Sequence, residues 1–375
     1  MSHPLSAPIY PVGDQMLSGH DLLSKFVMPA GQAGKVSPYS DLHLKVGCPA
    51  HYRRDGDIVV LPGAAPLTPE LAERLILPFL SDVQVSRLRL TPPDDVDASW
   101  YWEEQKMNFR LNVFHDQDGL AAVLRVLPVH IPDIAELGLP DELVWQEICE
   151  LKQGLVLVTG PTGSGKSTTI AAMLKHLNRT RQARVITLED PVEYIFESDR
   201  ALFSQREVGS HLTSFAAGLR SALREDPDII YVGELRDAET VALALTAAET
   251  GHLVFSTLHT RDTRSTITRI IDVMPPERTA ETATQLSLSL AYVIGQKLLT
   301  RIGGGRVLAV EVMKNTFSLA HLIRKNSIPQ MQSVLETGKK EGMNTFDHHL
   351  RALVQEGSIT AGEAAQNSAN GAAFR

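Results

Sequence analysis

The residues Gly160-Pro161-Thr162-Gly163-Ser164-Gly165-Lys166-Ser167 satisfy G-x-x-x-x-G-K-[ST] at every fixed position, and Thr168 continues the stretch. No other feature constrains the fold as tightly, because such a loop works only between a buried strand and the start of a helix. Its flanks meet that condition: Leu155-Val156-Leu157-Val158 precedes it and a helical pattern begins near Ser167. In this arrangement the glycines let backbone N–H groups approach a β-phosphate, and the helix N-terminus adds partial positive charge. Lys166 reaches the β- and γ-phosphates, and the Ser167 hydroxyl binds Mg²⁺. The motif alone names only the phosphates of a nucleotide, since kinases, GTPases, transporters and motors all use it.

Three later runs decide the fold class. Val185-Ile186-Thr187-Leu188, Ile229-Ile230-Tyr231-Val232 and Leu253-Val254-Phe255-Ser256 repeat the apolar pattern of residues 155–158, each separated from the next by helical sequence. Such runs form a parallel sheet covered on both faces, so this region reads as α/β. Ligands of open α/β sheets bind at the carboxyl ends of the strands. Glu189 and Asp190 end one run and Glu234 follows the next, which puts acids at that edge on neighbouring strands. One carboxylate there can hold the Mg²⁺ shell while another takes a proton from an attacking water. His252 and His259 bracket the last run, and by themselves read more simply as hydrogen-bonding residues at strand ends.

The 375 residues predict two domains and a tail. Prolines in the first forty residues limit regular structure to one helical pattern over 16–27. From Asp41 the sequence alternates, and Asp55-Gly56 predicts a hairpin turn. A helix from Pro69 to residue 80 and strands over 107–114 and 121–127 complete a small α+β domain ending near Pro128. Asp41 and His43 within it read as structural. Residues 128–140 form a proline-marked linker, 298–312 a hairpin around Gly303-Gly304-Gly305, and the remainder is helical until a frayed tail at 367–375.

With 36 basic against 44 acidic residues the formal charge is −8, which excludes general nucleic-acid binding through an overall basic surface. Cys48 and Cys149 are too few for a disulfide framework or a four-cysteine zinc site and favour a reducing cytoplasm. No apolar stretch approaches the roughly 18 residues needed to cross a bilayer, and the first residues lack a signal-peptide pattern. The chain is therefore expected to be cytoplasmic and to meet a membrane only through a partner.

Taken together, the phosphate loop, the acidic box at 187–194, the stretch 223–237 and the histidine box ending at His259 resemble the secretion ATPases of type II, type IV pilus and related systems. Within that superfamily the chain is most similar to the type IV pilus retraction ATPases of twitching motility, the PilT type, over roughly residues 40–346. The resemblance implies a variable segment (1–39), a PAS-like α+β domain (40–128), a linker (129–140), a RecA-like P-loop ATPase domain (141–312) and a helical C-terminal region (313–375). It implies a hexameric Mg-ATP-hydrolysing motor at the cytoplasmic face of the inner membrane. Its partners would be further copies of the chain, an inner-membrane platform protein and a second motor ATPase, without nucleic acid or direct membrane insertion. ATP would be held by residues 160–168. Glu189 would polarise the lytic water, Glu234 would act through the Mg²⁺ shell, and His252 and His259 would sense nucleotide state. Arg110 and Arg125 match N-terminal-domain arginines that reach the phosphates.

The chain departs from that pattern in three places. Asp116-Gln117-Asp118 stands where many relatives carry another basic residue, residues 29–39 intervene before the first strand, and 318–325 keeps only Leu322, Ile323 and Arg324 of the retraction motif. The alternatives are a secretion, conjugation or assembly motor of the same superfamily, a weakly catalytic regulatory subunit, and a small-molecule kinase. Many assembly motors carry a tetracysteine zinc site, which two cysteines cannot form.

Overall fold

The computed structural model describes residues 4–27, 37–127, 130–139 and 142–374. Residues 29–36 of the expected insertion at 29–39, the domain end at Pro128 and the linker end at Pro140 lie outside them. The chain divides into two compact units, Met1–His130 with Pro191–Ile195, and Ile131–Asp190 with Phe196–Arg375.

In the first unit a hairpin of β1 (Tyr10–Val12) and β2 (Gln15–Leu17) leads into α1 (Gly19–Leu23). Then come β3 (Tyr39–Lys45), β4 (His51–Arg54), β5 (Asp57–Val60), α2 (Pro69–Ile76), α3 (Asp82–Leu88), β6 (Val96–Trp102), β7 (Met107–Asp116) and β8 (Gly119–Val126). The last six strands form one antiparallel sheet in the order β5-β4-β3-β8-β7-β6. Asp55 and Gly56 both have positive φ, 50° and 96°, as the two-residue turn between β4 and β5 requires. Thr68 caps α2 ahead of Pro69, and the helix turns Ala72, Leu75 and Ile76 inward.

The start of the chain corrects the expectation of a lone helix over 16–27. A Ser18–Asp21 capping box starts α1, which is only five residues long. The hairpin and α1 belong to the core: Leu5, Tyr10, Leu22, Leu23 and Phe26 are each no more than 2% exposed. The Tyr10 hydroxyl accepts from Ala50 N and donates to the Ala65 carbonyl, both at 2.8 Å. Tyr52 donates to the Leu22 carbonyl at 2.8 Å. Strand β6 was not legible either, because its aromatic end, Ser99 to Trp102, masks the alternation.

The second unit opens with α4 (Glu142–Glu150), β9 (Gly154–Thr159), α5 (Lys166–Thr180), β10 (Arg184–Glu189), β11 (Leu202–Glu207) and α6 (Phe215–Ala222). It continues through β12 (Ile229–Val232), α7 (Ala238–Glu249), β13 (Leu253–Leu258), α8 (Thr263–Asp272), α9 (Thr279–Ser289), β14 (Leu290–Thr300) and β15 (Arg306–Lys314). Helices α10 (Phe317–Arg324), α11 (Ile328–Thr337), α12 (Phe346–Gln355) and α13 (Ala361–Asn367) complete it. The sheet order is β11-β10-β12-β13-β9-β14-β15, parallel except for β15. Buried strands explain the continuous apolar runs: Leu155 and Leu157 of β9 pack with α6 to α11, while Val156 and Val158 pack with α4 and α5. This is the RecA-like P-loop architecture expected from the sequence. Each fully buried Leu or Ile contributes about 1.5–3 kcal/mol.

Two features of this unit differ from expectation. The hairpin is longer than residues 298–312, since β14 starts at Leu290 and also pairs with β9. The tail is docked rather than frayed: the Asn367 carbonyl accepts from Lys297 Nζ at 2.7 Å, and Asp347 accepts from Ser368 Oγ at 2.7 Å and Ala369 N at 3.2 Å.

His349 on α12 accepts a hydrogen bond from Val310 N through Nδ1 at 2.9 Å, and burial pushes its pKa down to about 4. Protonation removes that acceptor. The neutral ring's contribution is full above an unfolded-state pKa of about 6.5 and is lost as pH falls toward 4, by up to about 3 kcal/mol. Urea denaturation from pH 7.5 to 4.5 should show this loss in the wild type, and His349→Gln should flatten that part of the profile.

Candidate active site

Strand β9 is buried along its whole length and delivers the chain at Gly160. A methyl group at Gly160 would lie 2.4 Å from the Gln296 carbonyl and 2.6 Å from Ser164 Oγ, and φ is +150°, so only glycine fits. Gly165 (φ +88°) is the N-cap of α5 and offers no side chain to cover the amides of the first turn. Those amides are left to an anion, the usual arrangement at a phosphate-binding helix start. Pro161, Thr162, Gly163 and Ser164 form the loop between, and Ser167 and Thr168 lie in the first turn.

Lys166 is 8% exposed, and its Nζ donates to the Gly160 carbonyl at 2.9 Å and the Pro161 carbonyl at 3.1 Å. Those bonds hold the ammonium over the loop, 3.4 Å from His259 Nδ1. From β14, Gln296 Nε2 donates to Thr169 Oγ1 at 2.7 Å and braces the first turn of α5. Sequence reasoning missed Gln296, which is fully buried on β14 beside the partly exposed Lys297. Ser164 Oγ is buried with no hydrogen-bond partner among the described residues.

The strand order arranges the other groups along one carboxyl edge: Glu189 ends β10, Glu234 follows β12, His259 follows β13, and the phosphate loop follows β9. Glu189 is 6% exposed, and its Oε1 accepts from Thr187 Oγ1 at 2.6 Å and Gln205 Nε2 at 3.2 Å. Two donors on one oxygen fix the orientation of the carboxylate. Gln205 comes from β11, a polar edge strand that carries no apolar signature in the sequence.

Glu234 accepts from Arg236 Nε at 2.7 Å and lies 3.7 Å from His259 Nε2, while Arg236 reaches Asp190 at 3.5 Å. A polar chain therefore runs from Asp190 through Arg236, Glu234 and His259 to Lys166. Burial, and then the Lys166 ammonium, hold the His259 pKa below its ordinary value, so the ring is neutral near pH 7. The pairing with Glu234 raises the pKa of the Arg236 guanidinium.

One expected residue of the same unit is not brought to this edge. His252 precedes β13, at the opposite end of a strand ~20 Å long, and its Nδ1 lies 2.9 Å from the Ala247 carbonyl. Arg110 and Arg125 belong to the first unit, where Arg110 lies 3.9 Å from Asp97 and Arg125 2.6 Å from Asp41. Among the described residues no group of three or more His, Cys, Asp and Glu side chains is arranged to hold a metal. Mg²⁺ bound beside phosphates needs only one or two protein ligands, so the hydroxyl of Ser167 and a carboxylate suit it.

The family described as Type II/IV secretion system protein matches residues 36–356. The chain is similar to the type IV pilus retractation ATPase PilT of Pseudomonas aeruginosa, with 46% identity over 86% of this chain and 92% of that one. It is also similar to a twitching motility protein of Neisseria gonorrhoeae, at 45% identity over 79% and 81% of the two chains. Among solved structures, the pilus retraction motor PilT with bound ADP superposes with a TM-score of 0.81 at 44% identity, covering 88% of this chain and 94% of that one.

The close approach at Gly160 yields a direct test. Gly160→Ala should weaken binding of a fluorescent ADP analogue at least about tenfold by forcing the loop off the Gln296 carbonyl, with far-UV circular dichroism unchanged. Wild-type affinity would show that the loop tolerates the displacement.

Proposed function

The chain belongs to the Type II/IV secretion system protein family, and from that premise we propose that it is the ATP-hydrolysing motor of type IV pilus retraction. The observation that carries this reading is the single sheet edge on which the phosphate loop, His259, Glu234 and the doubly bonded Glu189 follow one another. A P-loop ATPase needs that order of parts: a phosphate cradle, a charge network beside it and an oriented base.

In the proposed reaction the amides of residues 160–168 bind the phosphates of ATP, and Lys166 leaves the loop carbonyls to neutralise β- and γ-oxygens. Ser167 and Glu234 would hold Mg²⁺, which would supply further neutralisation of the phosphate charge. Glu189 orients the attacking water and accepts its proton. His259, kept neutral by burial and by the Lys166 ammonium, registers whether that ammonium rests on the loop or on phosphate. Arg110 and Arg125 bring positive charge to the transferred phosphoryl group.

The working assembly is a homo-hexamer acting at the cytoplasmic face of the inner membrane through a platform protein, with a second motor ATPase as a further partner. No helix among the described residues is long and apolar enough to cross a membrane, which supports docking through a partner. His252, at the other sheet edge, has no place in the same copy's chemistry, and a sensing role for it rests on the family resemblance alone.

Steady-state ATPase assays test the reaction. Lys166→Ala should abolish turnover and weaken ATP binding, whereas Glu189→Gln should lower kcat at least about 10²-fold with ATP still bound. Near-normal kcat in Glu189→Gln would remove it as the base. A deletion strain with abundant but immobile pili fits retraction, and absent pili would reassign the motor to assembly.

A further inference from the structure

Four charged residues stand side by side on the first unit's sheet, one per strand: Arg53 on β4, Asp41 on β3, Arg125 on β8 and Arg110 on β7. They share the face opposite Leu42 and Leu44. Two guanidiniums, Arg53 and Arg125, flank one carboxylate whose side chain is only 2% exposed, and Arg110, next in the row, lies 3.9 Å from Asp97; the side chains of Arg53, Arg125 and Arg110 are 39%, 62% and 48% exposed. A carboxylate so deeply buried is a weak source of stability.

The contacts of Asp41 are directional. Its Oδ1 accepts from Arg125 Nε at 2.6 Å, and its Oδ2 accepts from Ser40 Oγ at 2.7 Å and lies 3.8 Å from Arg53 Nε. Both guanidiniums are thus approached at the Nε edge. The Nη atoms of Arg125 make no hydrogen bond among the described residues, and of Arg53 only Nη1 is engaged, by the Gly56 carbonyl at 2.6 Å. Arg125, fixed at Nε, keeps both Nη groups for a second anion, and Arg53, held at Nη1, keeps Nη2; the planar fork matches phosphate oxygens.

The loop between β7 and β8 supplies no cation to this row. Asp116 and Asp118 instead hold Lys45 at 2.5 and 2.9 Å. The row's third cation is therefore Arg53.

We propose that Asp41 is the positioning residue of a phosphate-facing arginine row, and that Arg53 is the row's third guanidinium. The ligand is the polyphosphate of a nucleoside triphosphate. The inference rests on the reading of Arg110 and Arg125 given above, and it adds the carboxylate that aims Arg125 and a donor from β4. Pre-orientation by Asp41 removes the need to order a mobile guanidinium when the phosphoryl group reacts.

The test is ATPase kinetics of the full chain with Mg-ATP, with urea unfolding run alongside. Arg53→Ala and Asp41→Asn should each lower kcat/KM about tenfold or more. In an Arg53→Ala/Arg125→Ala background Asp41→Asn should cost less than about twofold, because the groups it aims are gone. The same factor in both backgrounds would mean that Asp41 only supports the sheet, and would overturn the proposal. If Asp41→Asn fails to fold, Asp41→Glu keeps the charge, shifts it by one methylene and is compared in the same two backgrounds. If Arg110→Ala and Arg125→Ala turn over like the wild type, the underlying reading falls and this inference with it. If they collapse while Arg53→Ala and Asp41→Asn do not, this inference alone is wrong.

Discussion

No side chain fits between Gly160 and the carbonyl of Gln296, and the geometry of the second unit follows from that contact. It sets how closely β14 approaches the exit of β9, and so where the phosphate loop turns into α5. Gln296 secures the same junction a second time through its side chain on Thr169. The following residue, Lys297, points the other way and holds the Asn367 carbonyl. Adjacent positions of one strand therefore grip the phosphate loop and the end of the chain, because successive side chains of a strand face opposite sides.

The sheet edge works by a division of labour among charges. Asp190, Arg236, Glu234, His259 and Lys166 alternate in character, so that each cation or neutral donor lies beside a group that compensates it. Glu189 accepts hydrogen bonds from Thr187 and Gln205. The edge thus sets a chain of alternating charges beside a carboxylate oriented by two hydrogen bonds.

Much of this was legible in the sequence, and the physical reason is periodicity. Strands buried on both faces give the runs at 155–158, 185–188, 229–232 and 253–256, and the loop consensus fixes its own surroundings. What stayed hidden depends on contacts between distant positions. Gln205 lies on a polar edge strand and Gln296 within an apolar one, and nothing local marks either as part of the site. Arg236 stands in the open beside Glu234 in sequence, yet its bridge to Asp190 requires the β10–β12 pairing. The opening hairpin was obscured because its anchors, Tyr10 to Ala50 and Tyr52 to Leu22, span 40 and 30 residues.

That opening segment also separates two ways of drawing a domain. The family match begins at residue 36, whereas the hydrophobic core of the first unit already includes Leu5, Tyr10, Leu22, Leu23 and Phe26. A chain trimmed to the similarity boundary would expose the apolar surface these side chains cover and leave the Ala50 amide and Ala65 carbonyl without their partner on Tyr10. The start of the family match therefore falls inside the folding unit.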